Sequence, residues 1–214
     1  MSPYLVAVAW AVVGLGVGRL VRWASVRLAR LERLQPGDRP WQFYGPSILA
    51  GVLFGIFGWR LGATPLLLIR SIWVAVLVQV IFFDLEHHLI LDRVLIPAAV
   101  CALLLSLVTP NLGWLPAVLT GIGTGLVFLA IAAVGALIFH AEAMGLGDVK
   151  FSAFLGLILG LRPTLAAVLL GMVLAGLVAL GLLLLRRRHL RDSIAYGPYL
   201  AVGALVALLG LGSG

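Results

Sequence analysis

Residues 115–139 form a run of 25 residues without one ionisable side chain. About 20 apolar residues suffice to cross the hydrocarbon layer of a bilayer. Residues 3–20, 48–59, 66–83, 94–108, 151–161, 164–185 and 196–211 are also predominantly apolar. Hydrophobic residues make up 63% of the 214 and charged residues 11%, against about 45–50% and about 25% in an ordinary globular chain. A soluble fold of this size cannot hide so much apolar surface, so a soluble enzyme, a disordered chain and a disulfide scaffold are all excluded. At about 26 residues per span and turn, the length predicts about eight spans. The expected fold is an all-α polytopic bundle, one membrane domain over 1–214. Its N-terminal helices and a basic loop occupy 1–65, and a core occupies 66–214.

The net charge of +7 comes from 15 basic residues against eight acidic ones. Nucleic-acid binding is not expected, because no basic patch accompanies a soluble domain. The basic residues instead orient the chain. No basic residue precedes the first apolar run, and Arg19, Arg22, Arg27, Arg30 and Arg33 close it, the reverse of a signal peptide. This predicts a retained first helix with the N-terminus outside, followed by a cytoplasmic loop or surface helix ending at the turn Gln35-Pro36-Gly37-Asp38. With that threading, Arg60, Arg70 and Arg162 fall in the outer half and the other twelve basic residues inside, as membrane proteins distribute them. All eight acids and all four histidines also fall on the inner side.

Two polar islands interrupt the apolar pattern there. The first is Asp84-Leu85-Glu86-His87-His88-Leu89-Ile90-Leu91-Asp92-Arg93, with Asp84 at the edge of the hydrocarbon. The second is Glu142-Ala143-Met144-Gly145-Leu146-Gly147-Asp148-Val149-Lys150, where the next helix is expected to begin inside the GLGD segment. Taken singly, Asp84 reads as a carboxylate ending a helix among headgroups, and Asp148 as an N-cap. Gly145 and Gly147 permit backbone angles and close approaches that side chains forbid.

Taken together, the islands follow odd-numbered spans, so Asp84 and Asp148 are expected at one depth. Two carboxylates that meet there cannot easily both ionise. One would stay charged and take a proton from water, while the neutral one would polarise a peptide carbonyl. His87 and His88 beside Asp84 and Glu86 are of metal-ligand type, but neighbouring positions on a helix diverge, so no metal is expected. Glu86, His87 and His88 would instead tune the acids or meet substrate. A carrier whose inner carboxylates bind a proton or cation, and a non-catalytic assembly protein, are the alternatives to such an enzyme.

These motifs resemble the type IV prepilin peptidases, membrane aspartyl proteases of the GxGD type. Gly145-Leu146-Gly147-Asp148-Val149-Lys150 is similar to the family's GxGDxK motif, with Glu142 upstream. Asp84, Ile90, Asp92 and Pro97 match the first motif, with Leu91 where a proline is expected. Tyr196-Gly197-Pro198-Tyr199-Leu200 is a weaker third match, and Gly14-Leu15-Gly16-Val17-Gly18-Arg19-Leu20 resembles the family's first helix. The resemblance implies a peptidase core in 66–214 that removes basic leader peptides from prepilin-like proteins at the inner face of the bacterial cytoplasmic membrane. Asp84 and Asp148 would be the catalytic pair, with the lipid bilayer around them and no cofactor. Many members also methylate the new N-terminus with S-adenosylmethionine and carry two CxxC pairs in the first cytoplasmic loop. Residues 22–40 contain no cysteine, so zinc is not expected, and S-adenosylmethionine would be needed only if the methyltransferase activity is retained.

Overall fold

A backbone in lipid must satisfy its own N–H and C=O groups, and a helix does so within a single segment. The computed structural model accordingly shows eight helices and no strand among the described residues, which are 2–110, 112–139, 144–185 and 195–211. They are α1 (Pro3–Leu31), α2 (Pro40–Leu61), α3 (Pro65–His87), α4 (Asp92–Ser106), α5 (Trp114–Phe139), α6 (Leu146–Leu159), α7 (Leu161–Leu184) and α8 (Gly197–Gly210). By length and composition α1, α3, α5 and α7 are able to cross a membrane. The chain is an integral membrane protein built as a helical bundle.

Four boundaries differ from the sequence expectation, one of them the start of α2, at Pro40 rather than near residue 48. α1 does not stop near Leu20 but continues to Leu31. Val21, Ser25 and Ala29 keep a buried stripe going at four-residue spacing, and arginines are good helix formers, so of the two forms expected for this segment residues 22–31 take the helix, continuous with α1. α3 runs past Asp84 to His87, which places that carboxylate inside the last turn. The turn expected at Arg162-Pro163 lies instead at Gly160, whose φ of 74° ends α6 and starts α7. Pro163 is then in the first turn of α7, where a missing N–H costs no helical bond.

The chain divides into two units, Met1–His87 with Leu211–Gly214, and His88–Gly210. In the first, α1, α2 and α3 pack on one another. The α1–α2 seam is a close backbone contact: a β-carbon on Gly14 would lie 2.6 Å from the Ala50 oxygen, and one on Gly18 would collide with Ser47 and Pro46. Such seams of small residues are how helices associate in lipid. Polar rungs join α1 to α3. The Trp10 indole donates to Ser71 Oγ at 2.8 Å, and the buried Gln79 amide donates to Ser25 Oγ at 2.9 Å.

In the second unit α6 is the central element and packs on α4, α5, α7 and α8. Phe151, Ser152, Phe154, Leu155, Ile158 and Leu159 are buried along it, so α6 is held on several sides while its first turn stays at the edge.

Candidate active site

The last turn of α3 carries the first group of predicted residues. Asp84 is buried, at 4% exposure. Two residues on, Glu86 is held by three neighbours. Its Oε2 pairs with Arg22 Nη1 at 3.1 Å, its Oε1 accepts the Gly37 N–H, and His87 Nε2 lies 3.4 Å from Oε1. Arg22 Nη2 closes the ring by donating to the Gly37 carbonyl. The Arg22 and Glu86 side chains are only 12% and 7% exposed. The His87 ring also packs against Phe83 at 4.7 Å between centroids. Glu86 and His87 are thus committed to contacts within their own unit. His88 is exposed, with a left-handed φ of 53°, and follows the end of α3.

The second group gathers at one end of the other unit. α4 begins at Asp92, after the N-cap Leu91 with φ −80° and ψ 123°. A proline holds φ near −65°, so this backbone suits the residue the motif would have there. α6 begins at Leu146, with Gly145 rather than Asp148 as its N-cap. Asp148 stands in the first turn, half-buried, and its N–H donates to the Gly145 carbonyl at 3.1 Å. The unpaired N–H groups and dipole of that turn favour a negative charge by about 0.3–1 kcal/mol. Gly145 has φ −70°, open to any residue. Gly147 is the more closely approached of the two, since a β-carbon there would sit 3.2 Å from Ile90 Cβ and push it back by a few tenths of an ångström.

Ile90 and Leu91 are buried, so the segment leading into α4 lies against the start of α6. Lys150 Nζ reaches across to both carboxylate oxygens of Asp92, at 2.6 and 2.9 Å. Tyr196, just before α8, faces the same place. Burial pushes its phenol up to about 12, and the Asp148 carboxylate adds to the rise. α4, α6 and α8 therefore start at a common end of this unit, with Asp148 among them.

The structure thus joins Asp92 to Lys150 and Gly147 to Ile90, and sets Tyr196 beside Asp148. Asp84, Glu86 and His87 belong to one unit, whereas Asp148 and its neighbours belong to the other. Glu142 lies outside the described residues. Among the described residues no group of three or more His, Cys, Asp or Glu side chains could hold a metal ion. Sequence reasoning overlooked Arg22 and Gly37 as partners of Glu86 and gave Tyr196 no role. The signal for Arg22 was its place beside the buried stripe of Val21, Ser25 and Ala29, where a charged residue needs a partner.

Comparison with known proteins shows the family to which these motifs belong. Residues 69–180 match the model of the type IV leader peptidase family. The "Prepilin leader peptidase/N-methyltransferase" of Aeromonas hydrophila is 34% identical over 134 residues, covering 63% of this chain and 46% of that protein. The protein of the same name from Bacillus subtilis is 28% identical over 163 residues, covering 76% of this chain and 64% of that one. The chain spans about half the length of the Aeromonas relatives it matches. No solved structure matches it. With the family model covering more than half of its length and both predicted aspartates falling inside the match, the chain belongs to the type IV leader peptidase family.

Proposed function

We propose that this protein is a membrane-embedded aspartyl endopeptidase that removes the leader peptide of type IV prepilin-like proteins, with Asp84 and Asp148 as its catalytic pair. The observation that carries the reading is the family match over 69–180, which spans both polar islands and both aspartates. The setting of Asp148 supports a division of labour. Its place in the first turn of α6 favours the ionised form, so Asp148 is the base and Asp84 holds the shared proton. The Asp148 carboxylate takes a proton from water. The water oxygen attacks the scissile carbonyl carbon, whose oxygen is polarised by the Asp84 carboxyl group. The tetrahedral intermediate then collapses, and the amine leaves with a proton returned by the acid.

In this reading the site is on the cytoplasmic side of the bacterial inner membrane, with the N-terminus outside and the substrate's apolar helix beside the enzyme in the bilayer. Residues 66–214 form the peptidase core. Acids on the inner face draw in a basic leader. The names of these relatives include N-methyltransferase. That second activity would require S-adenosylmethionine.

The test is co-expression of a prepilin with wild type, Asp84→Asn and Asp148→Asn, followed on a gel by the loss of the leader. Wild type is expected to process the precursor, and each single substitution to abolish processing while the protein stays in the membrane. Normal processing by either variant would refute the pair.

A further inference from the structure

The proposed chemistry leaves the most heavily bonded side chain near Asp84 without a role. Glu86 makes three polar contacts, all inside its own unit and all to groups remote from the reacting atoms: the Arg22 guanidinium, the Gly37 N–H and His87. Arg22 is 64 residues away in sequence and Gly37 is 49. A lone ion pair on a surface would mean little, but both side chains here are mostly buried. The pair is also bound into backbone, because Arg22 and Glu86 grip the carbonyl and the N–H of the same residue, Gly37. Charge-assisted bonds of this kind fix direction as well as distance.

The residue at position 37 is suited to be gripped. A β-carbon there would collide with the Gln42 side chain, whose Oε1 accepts the Arg39 N–H at 2.8 Å. The segment between α1 and α2 is therefore anchored at one end by α2 and in the middle by Glu86. Trp10–Ser71 and Ser25–Gln79 tie α1 and α3 together further along. With three polar rungs, α3 can neither slide nor rotate against α1 without breaking bonds.

We propose that Glu86 is a positioning residue for Asp84: by holding Arg22 and the Gly37 amide, it locks the last turn of α3 to α1 and to the 34–39 segment and so sets where the Asp84 carboxyl group stands. The inference rests on the reading of Asp84 as a catalytic acid. It is distinct from that reading, because Glu86 is bonded to Arg22 and to the Gly37 N–H and is given no proton to move. A displacement of about 1 Å at a reacting group lowers rates by as much as about a hundredfold, whereas substrate affinity, set by a long apolar helix, need not change.

The test uses the full chain in lipid vesicles and two measurements. The first is leader cleavage. Glu86→Gln and Arg22→Met are expected to lower kcat by between about tenfold and a hundredfold with KM within about twofold, and the double variant to be no worse than either single one. Arg22→Lys keeps the charge but loses one of the two donors. It is expected to fall by a smaller factor, about threefold, and it carries the test if Glu86→Gln does not fold. The second measurement needs no activity. In an Asp84→Cys, Cys101→Ser background, the rate of thiol alkylation at position 84 is expected to rise about tenfold when Glu86→Gln or Arg22→Lys is added. Wild-type kcat in these variants, a fall seen only in KM, or an unchanged alkylation rate would each overturn the proposal. If wild-type protein cleaves no prepilin, the peptidase reading fails by itself, and the alkylation rate still decides whether Glu86 positions residue 84.

Discussion

The start of α6 is aimed by the way α6 lies on α5, and one methyl group tests that dependence. A β-carbon on Gly156 would lie 2.7 Å from Gly121 Cα, 2.7 Å from the Thr120 oxygen and 2.8 Å from Gly121 N. All three are backbone atoms, so no side chain can turn aside. Ordinary contact begins near 3.4 Å, so Gly156→Ala forces the two helices apart by about 0.7 Å. Inserting an extra carbon into a packed interface costs about 1–3 kcal/mol, and each kcal/mol lowers Tm by about 2–4 °C in a chain of this size. Asp148 lies eight residues earlier, about 12 Å along the axis, so the wedge also swings its turn. The expected result is a Tm lower by about 2–12 °C, with kcat for leader cleavage reduced by about tenfold or more. Gly123→Ala in α5 is the control, because nothing lies within 4 Å of its β-position. There Tm should hold or rise slightly, since alanine is the better helix former by about 1 kcal/mol. Thermal scans and cleavage assays on the two variants decide the matter. Equal behaviour, or a harmless Gly156→Ala, would refute the argument.

Four further outcomes are expected. Gly160→Ala places a β-carbon on a φ of 74° with ψ 173°, backbone that essentially only glycine adopts, and should destabilise by about 1–3 kcal/mol, read from the thermal transition. Leu91→Pro should preserve the fold, since φ is already −80°, with a loss under about 2 kcal/mol from the missing leucine packing; collapse of the fold would show that the N-cap geometry was misread. The Asp92–Lys150 pair is half-exposed, so Asp92→Asn or Lys150→Met should change stability by at most about 1 kcal/mol, and raising the salt concentration should shrink that difference. Tyr196 holds its proton more tightly in the folded state than in the unfolded chain, where its value is 10. Its contribution is therefore complete below pH 10 and is lost as pH rises towards about 12, so Tyr196→Phe should flatten stability over that window.

The number and order of helices could be read from the chain because a 25-residue uncharged run has few other folds open to it. The beginning of α6 inside Gly145–Asp148 was legible for a similar reason, since two glycines and an acid mark a helix entrance. The continuation of α1 was hidden by its arginines, which look like loop until the buried spacing of Val21, Ser25 and Ala29 is followed. Pro163 suggested a break that Gly160 makes instead, because a proline is harmless in a first turn whereas a positive φ is a true stop. The Arg22–Glu86–Gly37 ring was not legible. Its members are far apart in sequence, and no local periodicity records a contact made through tertiary packing.

The shortness of α4, α6 and α8, at 15, 14 and 14 residues, has a bearing on hydrolysis itself. At 1.5 Å per residue they rise only about 21–23 Å, while the fatty interior of a bilayer measures about 30 Å. Each therefore falls about 8 Å short of the bilayer interior, a mismatch met by local thinning or by flanking side chains that reach to the interface. At the end that carries Asp148, thinned lipid or an inlet of solvent would bring the aqueous phase down to the mouth of α6, and the proposed hydrolysis would draw its water from there.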